Sequence, residues 1–256
     1  LHFMAHTTST SYWGQSVDIT FSDVNVCDGR PRTPAEASCG QTYYTSGNYL
    51  DITPPTNPTT INPGCTATSG EWQNTCNDPS FSWSGATDNA SGVAGYYYYW
   101  GTSSTGTSTS YTTSTSYNPP AIGEGTYYFR ISTKDNRGNT APWQTMFILR
   151  YDGTKPAGST SINPGCTATS GEWQNTCNNP SFSWSGATDN SSGVARYYYY
   201  WGTSSTGTST AYTTSTGYNP SAVGEGTYYF RISTRDNAGN TAPWQTMFIL
   251  KYDGTK

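Results

Sequence analysis

Val93-Ala-Gly-Tyr-Tyr-Tyr-Tyr-Trp100 reads as a strand. Side chains alternate along an extended chain, so Tyr96, Tyr98 and Trp100 share one face, with Tyr97 and Tyr99 on the other. Upstream, Phe81-Ser-Trp83 alternates apolar and polar residues, as a half-buried strand does. The intervening Thr87-Asp-Asn-Ala-Ser-Gly92 is rich in turn formers. Downstream, residues 101–106 read as a loop and 109–117 as a Thr-rich strand. Gly125-Thr-Tyr-Tyr-Phe-Arg-Ile-Ser-Thr133 is a strand with Tyr127, Phe129 and Ile131 inward, Asp135-Asn-Arg-Gly-Asn139 is a hairpin signal, and 143–151 closes the unit. About seven short strands at this spacing predict a β-sandwich.

The unit occurs twice. Residues 61–155 and 162–256 are the same sequence shifted by 101 positions, and only ten of the 95 aligned pairs differ, among them Asp78 and Asn179, Gly95 and Arg196, and Lys134 and Arg235. A period near 100 residues is too long for a solenoid turn, so each copy is expected to be a domain with its own core. The joins repeat too: Asp51-Ile-Thr-Pro-Pro55, Asp152-Gly-Thr-Lys-Pro156 and Asp253-Gly-Thr-Lys256. Proline disfavours helix in the residue before it, which makes these short, semi-rigid linkers. The expected organisation is a small N-terminal disulfide-bonded β module over 1–55 and sandwiches over 56–156 and 157–256. The start at Leu1 suggests a mature or trimmed product, and the stop in mid-linker leaves room for further repeats.

Composition agrees. Of 256 residues, 44 are Thr and 32 Ser, with 27 Gly and 15 Pro, which suits strands and turns rather than helices. A net charge of −4 with twelve scattered Lys and Arg offers no basic stripe for nucleic acid. No apolar run approaches the roughly 18 residues of a membrane-spanning helix. Twenty-two Tyr and nine Trp argue for a folded chain. The six cysteines form three local pairs: Cys27 with Cys39, Cys65 with Cys76, and Cys166 with Cys177. None has a His nearby or a two-residue gap. That pattern favours disulfides over metal, and an extracellular or cell-surface location.

The order Phe81-Ser-Trp83, Val93-x-x-Tyr96-x-Tyr98-x-Trp100, then Tyr117-Asn-Pro to Gly125-Thr-Tyr127-x-Phe129-x-Ile131 resembles fibronectin type III domains. The phrases SGVAGYYYYWGT and GTYYFRISTKDNRGN look like tandem bacterial immunoglobulin-like or fibronectin-like surface modules. The resemblance covers both repeats, not the N-terminal module, and the excursion between Cys65 and Cys76 departs from it. It implies an all-β chain of tandem immunoglobulin-like (fibronectin type III-like) sandwiches and a spacer, adhesive or assembly role rather than chemistry.

Candidate sites are few. His2 and His6 are the only histidines, so neither repeat can hold a Ser-His-Asp or Cys-His constellation, and no enzyme activity is expected. The loops carrying Asp88 and Asp135, and Asp189 and Asp236 in the second copy, fall at one end of a sandwich. They either share a calcium ion with backbone carbonyls or simply form turns; no cofactor is otherwise required. Tyr97, Tyr99 and Tyr128, with Tyr198, Tyr200 and Tyr229, should face away from the core, either as contacts for sugars and proteins or as ordinary cross-strand pairs. Asn89 and Asn190 match the glycosylation sequon. In the N-terminal module Trp13, Val17, Ile19 and Phe21 fall on one face of a strand. That strand either docks within its own chain or adds to the open sheet edge of a neighbouring copy, which would build fibres.

The function expected from these features is a structural subunit of an extracellular filament, sheath or surface appendage, built head to tail from copies of itself. The alternative is an adhesive stalk that binds cell-surface glycans. A third class is the accessory part of a secreted enzyme.

Overall fold

The computed structural model describes residues 51–255. Two expectations lie outside the described residues: the N-terminal strand with Trp13, Val17, Ile19 and Phe21, and the disulfide between Cys27 and Cys39. The described chain is all-β and forms two tandem sandwiches.

The first sandwich contains β1 (Thr60–Asn62), β2 (Trp72–Gln73), β3 (Phe81–Ser84), β4 (Val93–Gly101), β5 (Tyr111–Thr112), β6 (Ser116–Tyr117), β7 (Gly125–Asp135) and β8 (Gln144–Tyr151). One sheet has the order β1-β3-β6 and the other β2-β8-β7-β4-β5. The second repeats the pattern with β9 (Ser161–Asn163), β10 (Trp173–Gln174), β11 (Phe182–Ser185), β12 (Val194–Gly202), β13 (Tyr212–Thr213), β14 (Gly217–Tyr218), β15 (Gly226–Asp236) and β16 (Gln245–Tyr252). Among the described residues no helix is long and apolar enough to cross a membrane.

Aromatic residues fill the space between the sheets. Phe81 stacks on Phe129 at 4.4 Å between ring centroids, and Trp83 meets Tyr96 edge-on at 5.4 Å. Tyr98 leans on Tyr117, Trp100 stacks on Tyr127, and Ile131 and Leu149 are fully buried. Burial pushes the Tyr96 phenol above its ordinary pKa. The face expected to be inward is therefore the inward face.

Two features differ from the sequence reading. The segment 109–117 is not one strand: β5 pairs with β4 in the larger sheet, whereas β6 pairs with β3 in the smaller. Between them Ser114 donates its N–H to the Thr112 hydroxyl at 3.0 Å, a local turn that lets the chain change sheets. The excursion closed by the disulfide between Cys65 and Cys76 also supplies strand β2, which lies parallel to β8 and covers that sheet edge. Gly70 N–H bonds the Ile148 carbonyl at 2.9 Å, and the Ser69 hydroxyl accepts the Ile148 N–H at 3.0 Å.

A disulfide between Cys166 and Cys177 closes the same loop in the second sandwich. Replacing either pair by alanine is expected to cost that sandwich about 3 kcal/mol, since a short closed loop loses its constraint on the unfolded chain. Urea unfolding of the double variant against the parent measures the loss.

Candidate metal centre at the domain joints

Each sandwich begins with a linker aspartate tied into its own loops. Asp51 and Asp152 occupy equivalent linker positions 101 residues apart. Asp88 and Asp189 sit in the loop after the Phe-Ser-Trp-Ser strand, while Asp135 and Asp236 end β7 and β15. The structure brings them together as two triads, one of Asp51, Asp88 and Asp135, the other of Asp152, Asp189 and Asp236. Within each, one carboxylate oxygen per residue lies within 4.8 Å of the others. Asp135 and Asp152 are fully buried and Asp236 is 1% exposed.

Loop geometry fixes each carboxylate. Asp88 Oδ2 accepts the N–H groups of Ser91 (2.8 Å) and Gly92 (2.7 Å), so the turn folds round it. Asp135 Oδ1 accepts Arg137 and Asn139 N–H groups at 2.9 and 2.8 Å, closing the hairpin tip where Gly138 takes φ 99°. The Asn139 side chain donates to both Asp135 Oδ2 and the Asp51 carbonyl, locking linker to loop. In the second triad Asn240 bridges Asp236 and the Asp152 carbonyl in the same way, and Ser192 N–H bonds Asp152 Oδ2 at 3.1 Å.

The two triads differ in charge. Hydrogen bonds from Ser91 and Thr53 hold the Asp51 carboxyl below its ordinary pKa, with a smaller attraction from the Arg137 guanidinium. The second repeat has Ala238 in place of Arg137, so that cation is missing there. Three clustered carboxylates with no sulfur or imidazole make an all-oxygen donor set, which suits a hard cation such as calcium. They would supply three of the six to eight oxygens that calcium takes.

Asp88, Asp135, Asp189 and Asp236 are the residues that the sequence marks for such a site, and the structure adds Asp51 and Asp152. The signal that could have found these two is the recurrence of Asp at the start of every linker.

No family model matches the chain, and no curated protein matches it. Among solved structures, it is similar to the fibronectin(III)-like modules of Clostridium thermocellum CbhA, at 15% identity and TM-score 0.37, over 76% of this chain and 93% of that one. It is also similar to the chicken CNTN1 FN1–FN3 domains, at 13% identity and TM-score 0.36, over 77% of this chain and 68% of that one.

Residues beside the second triad bind one sandwich to the next. Asn74, in the first sandwich's disulfide loop, donates to the Asn240 side chain at 2.8 Å. Glu124 of the first sandwich accepts hydrogen bonds from Thr154 in the linker and from Ser191 of the second sandwich. Linker, preceding sandwich and following sandwich thus meet at one place.

The tyrosine faces need correction. Tyr97, Tyr99, Tyr128, Tyr198, Tyr200 and Tyr229 are half-buried rather than free. Tyr99 lies against Gly101 and Gly106 of its own loop, where any Cβ at Gly106 would overlap the ring, and its hydroxyl accepts the Ser103 N–H at 3.1 Å. Tyr200 is covered likewise by Gly202 and Gly207. Tyr97 packs edge-on against Tyr111, and Tyr198 against Tyr212. Tyr128 stands between Gly101 and Ile148 in the ladder, and Tyr229 between Gly202 and Ile249. Among the described residues the most exposed rings are others: Tyr111 (41%), Tyr212 (55%) and Trp173 (50%). Asn89 and Asn190 are exposed, beside the carboxylates.

Proposed function

We propose that the chain is a non-catalytic structural subunit of an extracellular filament, sheath or surface appendage, a jointed rod whose linkers are stiffened by calcium. The observation that carries this reading is the joint. A linker aspartate gives its carboxylate to one loop and its carbonyl to another loop of the following sandwich, and the arrangement recurs 101 residues later. A linker held at both groups cannot swivel freely, so tandem copies add length in a set direction. The disulfides suit an oxidising, extracellular setting.

Trp173 supports head-to-tail assembly. It is half exposed, whereas its copy Trp72, two residues before the Asn74 that bonds the next sandwich, is partly covered. A second copy seated on Trp173 would cover it as Trp72 is covered. The N-terminal segment carrying Trp13, Val17, Ile19 and Phe21 is the candidate for the contact that joins copies.

Electron microscopy of the intact chain, beside a version lacking residues 1–22, tests the reading. Fibres are expected from the intact chain and isolated rods from the truncated one. Fibres from both would move the joint to the repeats, and rods from both would sink the polymer.

A further inference from the structure

The two sandwiches are near-copies, yet one surface differs sharply between them. On the outer face of the larger sheet, the first repeat has Gly95 opposite Lys134. The second has Arg196 opposite Arg235. Both members of the cross-strand pair are among the ten differences between the repeats.

The substitution reshapes the neighbouring aromatics. In the first repeat the Tyr111 ring and hydroxyl occupy the space a Cβ at Gly95 would need, with the ring 5.2 Å from Tyr97. In the second repeat Arg196 fills that space and the Tyr212 ring stands off. Tyr198 and Tyr212 are 6.3 Å apart, and the Arg196 guanidinium lies 4.6 Å from the Tyr212 centroid. Beside the Tyr212 ring lies an open cleft of about 350 Å³, lined by Arg196, Tyr212, Trp244, Ser209, Thr210 and Thr241.

The charge is unbalanced. Like charges directly opposite in a sheet repel. Among the described residues no carboxylate forms an ion pair with Arg196 or Arg235. Their partners are neutral: Arg235 donates to the Tyr198 hydroxyl at 3.0 Å, and Arg196 stacks on Tyr212. The Arg196 guanidinium lines the cleft and matches a carboxylate, which it can hold in a forked geometry. The lining adds aromatic faces, which suit the apolar C–H face of a pyranose, and side-chain hydroxyls that can exchange hydrogen bonds with sugar hydroxyls. At the low end of the roughly 300–1,000 Å³ range of ligand sites, the cleft has room for one or two sugar rings.

We propose that the second sandwich carries a binding site for an acidic saccharide, a hexuronate unit held between Tyr212 and Trp244 with its carboxylate on Arg196, and that the first sandwich lacks it. The site lies on the sheet face and uses none of the triad carboxylates, so it stands or falls independently of filament assembly.

Calorimetric titration of the full chain with trigalacturonate and with a hyaluronan tetrasaccharide tests it. One of the two acidic sugars is expected to bind at one site per chain, more weakly as salt rises. The Arg196→Gly variant restores the first repeat's residue and lets Tyr212 close over it. It is expected to lose roughly tenfold or more in affinity, the fold-change of one charge-assisted hydrogen bond. The Gly95→Arg, Lys134→Arg double variant is expected to raise the stoichiometry to two. Galactotriose, which is neutral, is expected to bind far more weakly. Binding of neither acidic sugar, or binding that Arg196→Gly leaves unchanged, overturns the proposal. Hexaglutamate binding as tightly as the acidic sugar also overturns it, since the cleft would then read charge alone.

Discussion

Truncating Phe230 to alanine is expected to cost the second sandwich about 3–5 kcal/mol while leaving the first standing. Phe230 is fully buried and stacks on Phe182 at 4.2 Å and on Tyr218 at 5.9 Å, with Trp184 and Trp201 against its flanks. It is a central member of the set of rings through which the two sheets touch, so its removal leaves a cavity walled by four large aromatics that cannot collapse without breaking their own stacking. The loss is a large share of the roughly 5–15 kcal/mol that holds a domain folded. The parent's two sandwiches, being near-copies, are expected to melt together. The variant should show two calorimetric transitions, the lower falling by roughly 10 °C or more, at about 4–8 °C per kcal/mol for a domain of this size. A single transition shifted as a whole would mean that the joint couples the sandwiches into one cooperative unit. An unshifted one would remove Phe230 from the centre of the core.

That core was legible because aromatic alternation is a strong signal. Phe81, Trp83, Tyr96 and Phe129 each sit two residues from another apolar or aromatic residue on the same face, so their side follows from the pleat alone. The stretch 109–117 was not legible in the same way. It is nearly all Ser and Thr, and without an apolar rhythm nothing marks where the chain leaves β4 for β3.

The carboxylates show a different limit. Asp88 and Asp135 announce themselves within turn phrases, but the third ligand of each triad comes from a linker, and only the fold shows that the linker returns to those loops. The aromatic cleft lay further out of reach, because Gly95 against Arg196 reads as surface noise until the ring it displaces is seen.

Calcium is expected to raise the unfolding midpoints of both sandwiches when added to the chelated chain, and magnesium to do so far less. Each triad gathers three carboxylates whose mutual repulsion is answered by N–H donors and, in the first triad, weakly by Arg137. A divalent cation would remove that repulsion and tie the linker down at its carboxylate. A ligand bound only by the folded state adds about 2.7 kcal/mol at a hundred times its Kd. Extracellular modules bind calcium at roughly 0.1–1 mM, so tens of millimolar is the range to use with the tighter value. The shift should then be on the order of 10 °C for each sandwich.

Asp236→Asn supplies the internal control. The amide still accepts from the Gly239 and Asn240 N–H groups but brings no charge, so some calcium-independent stability goes as well. The informative quantity is therefore the calcium-dependent increment, which should vanish for the second sandwich and persist for the first. If the increment survives Asp236→Asn, the ion sits elsewhere. If the parent's midpoints ignore calcium altogether, the triads are turn anchors, and the stiffness of the joints rests on hydrogen bonds: those of Asn139 and Asn240, of the Ser91 and Ser192 N–H groups, and of Glu124.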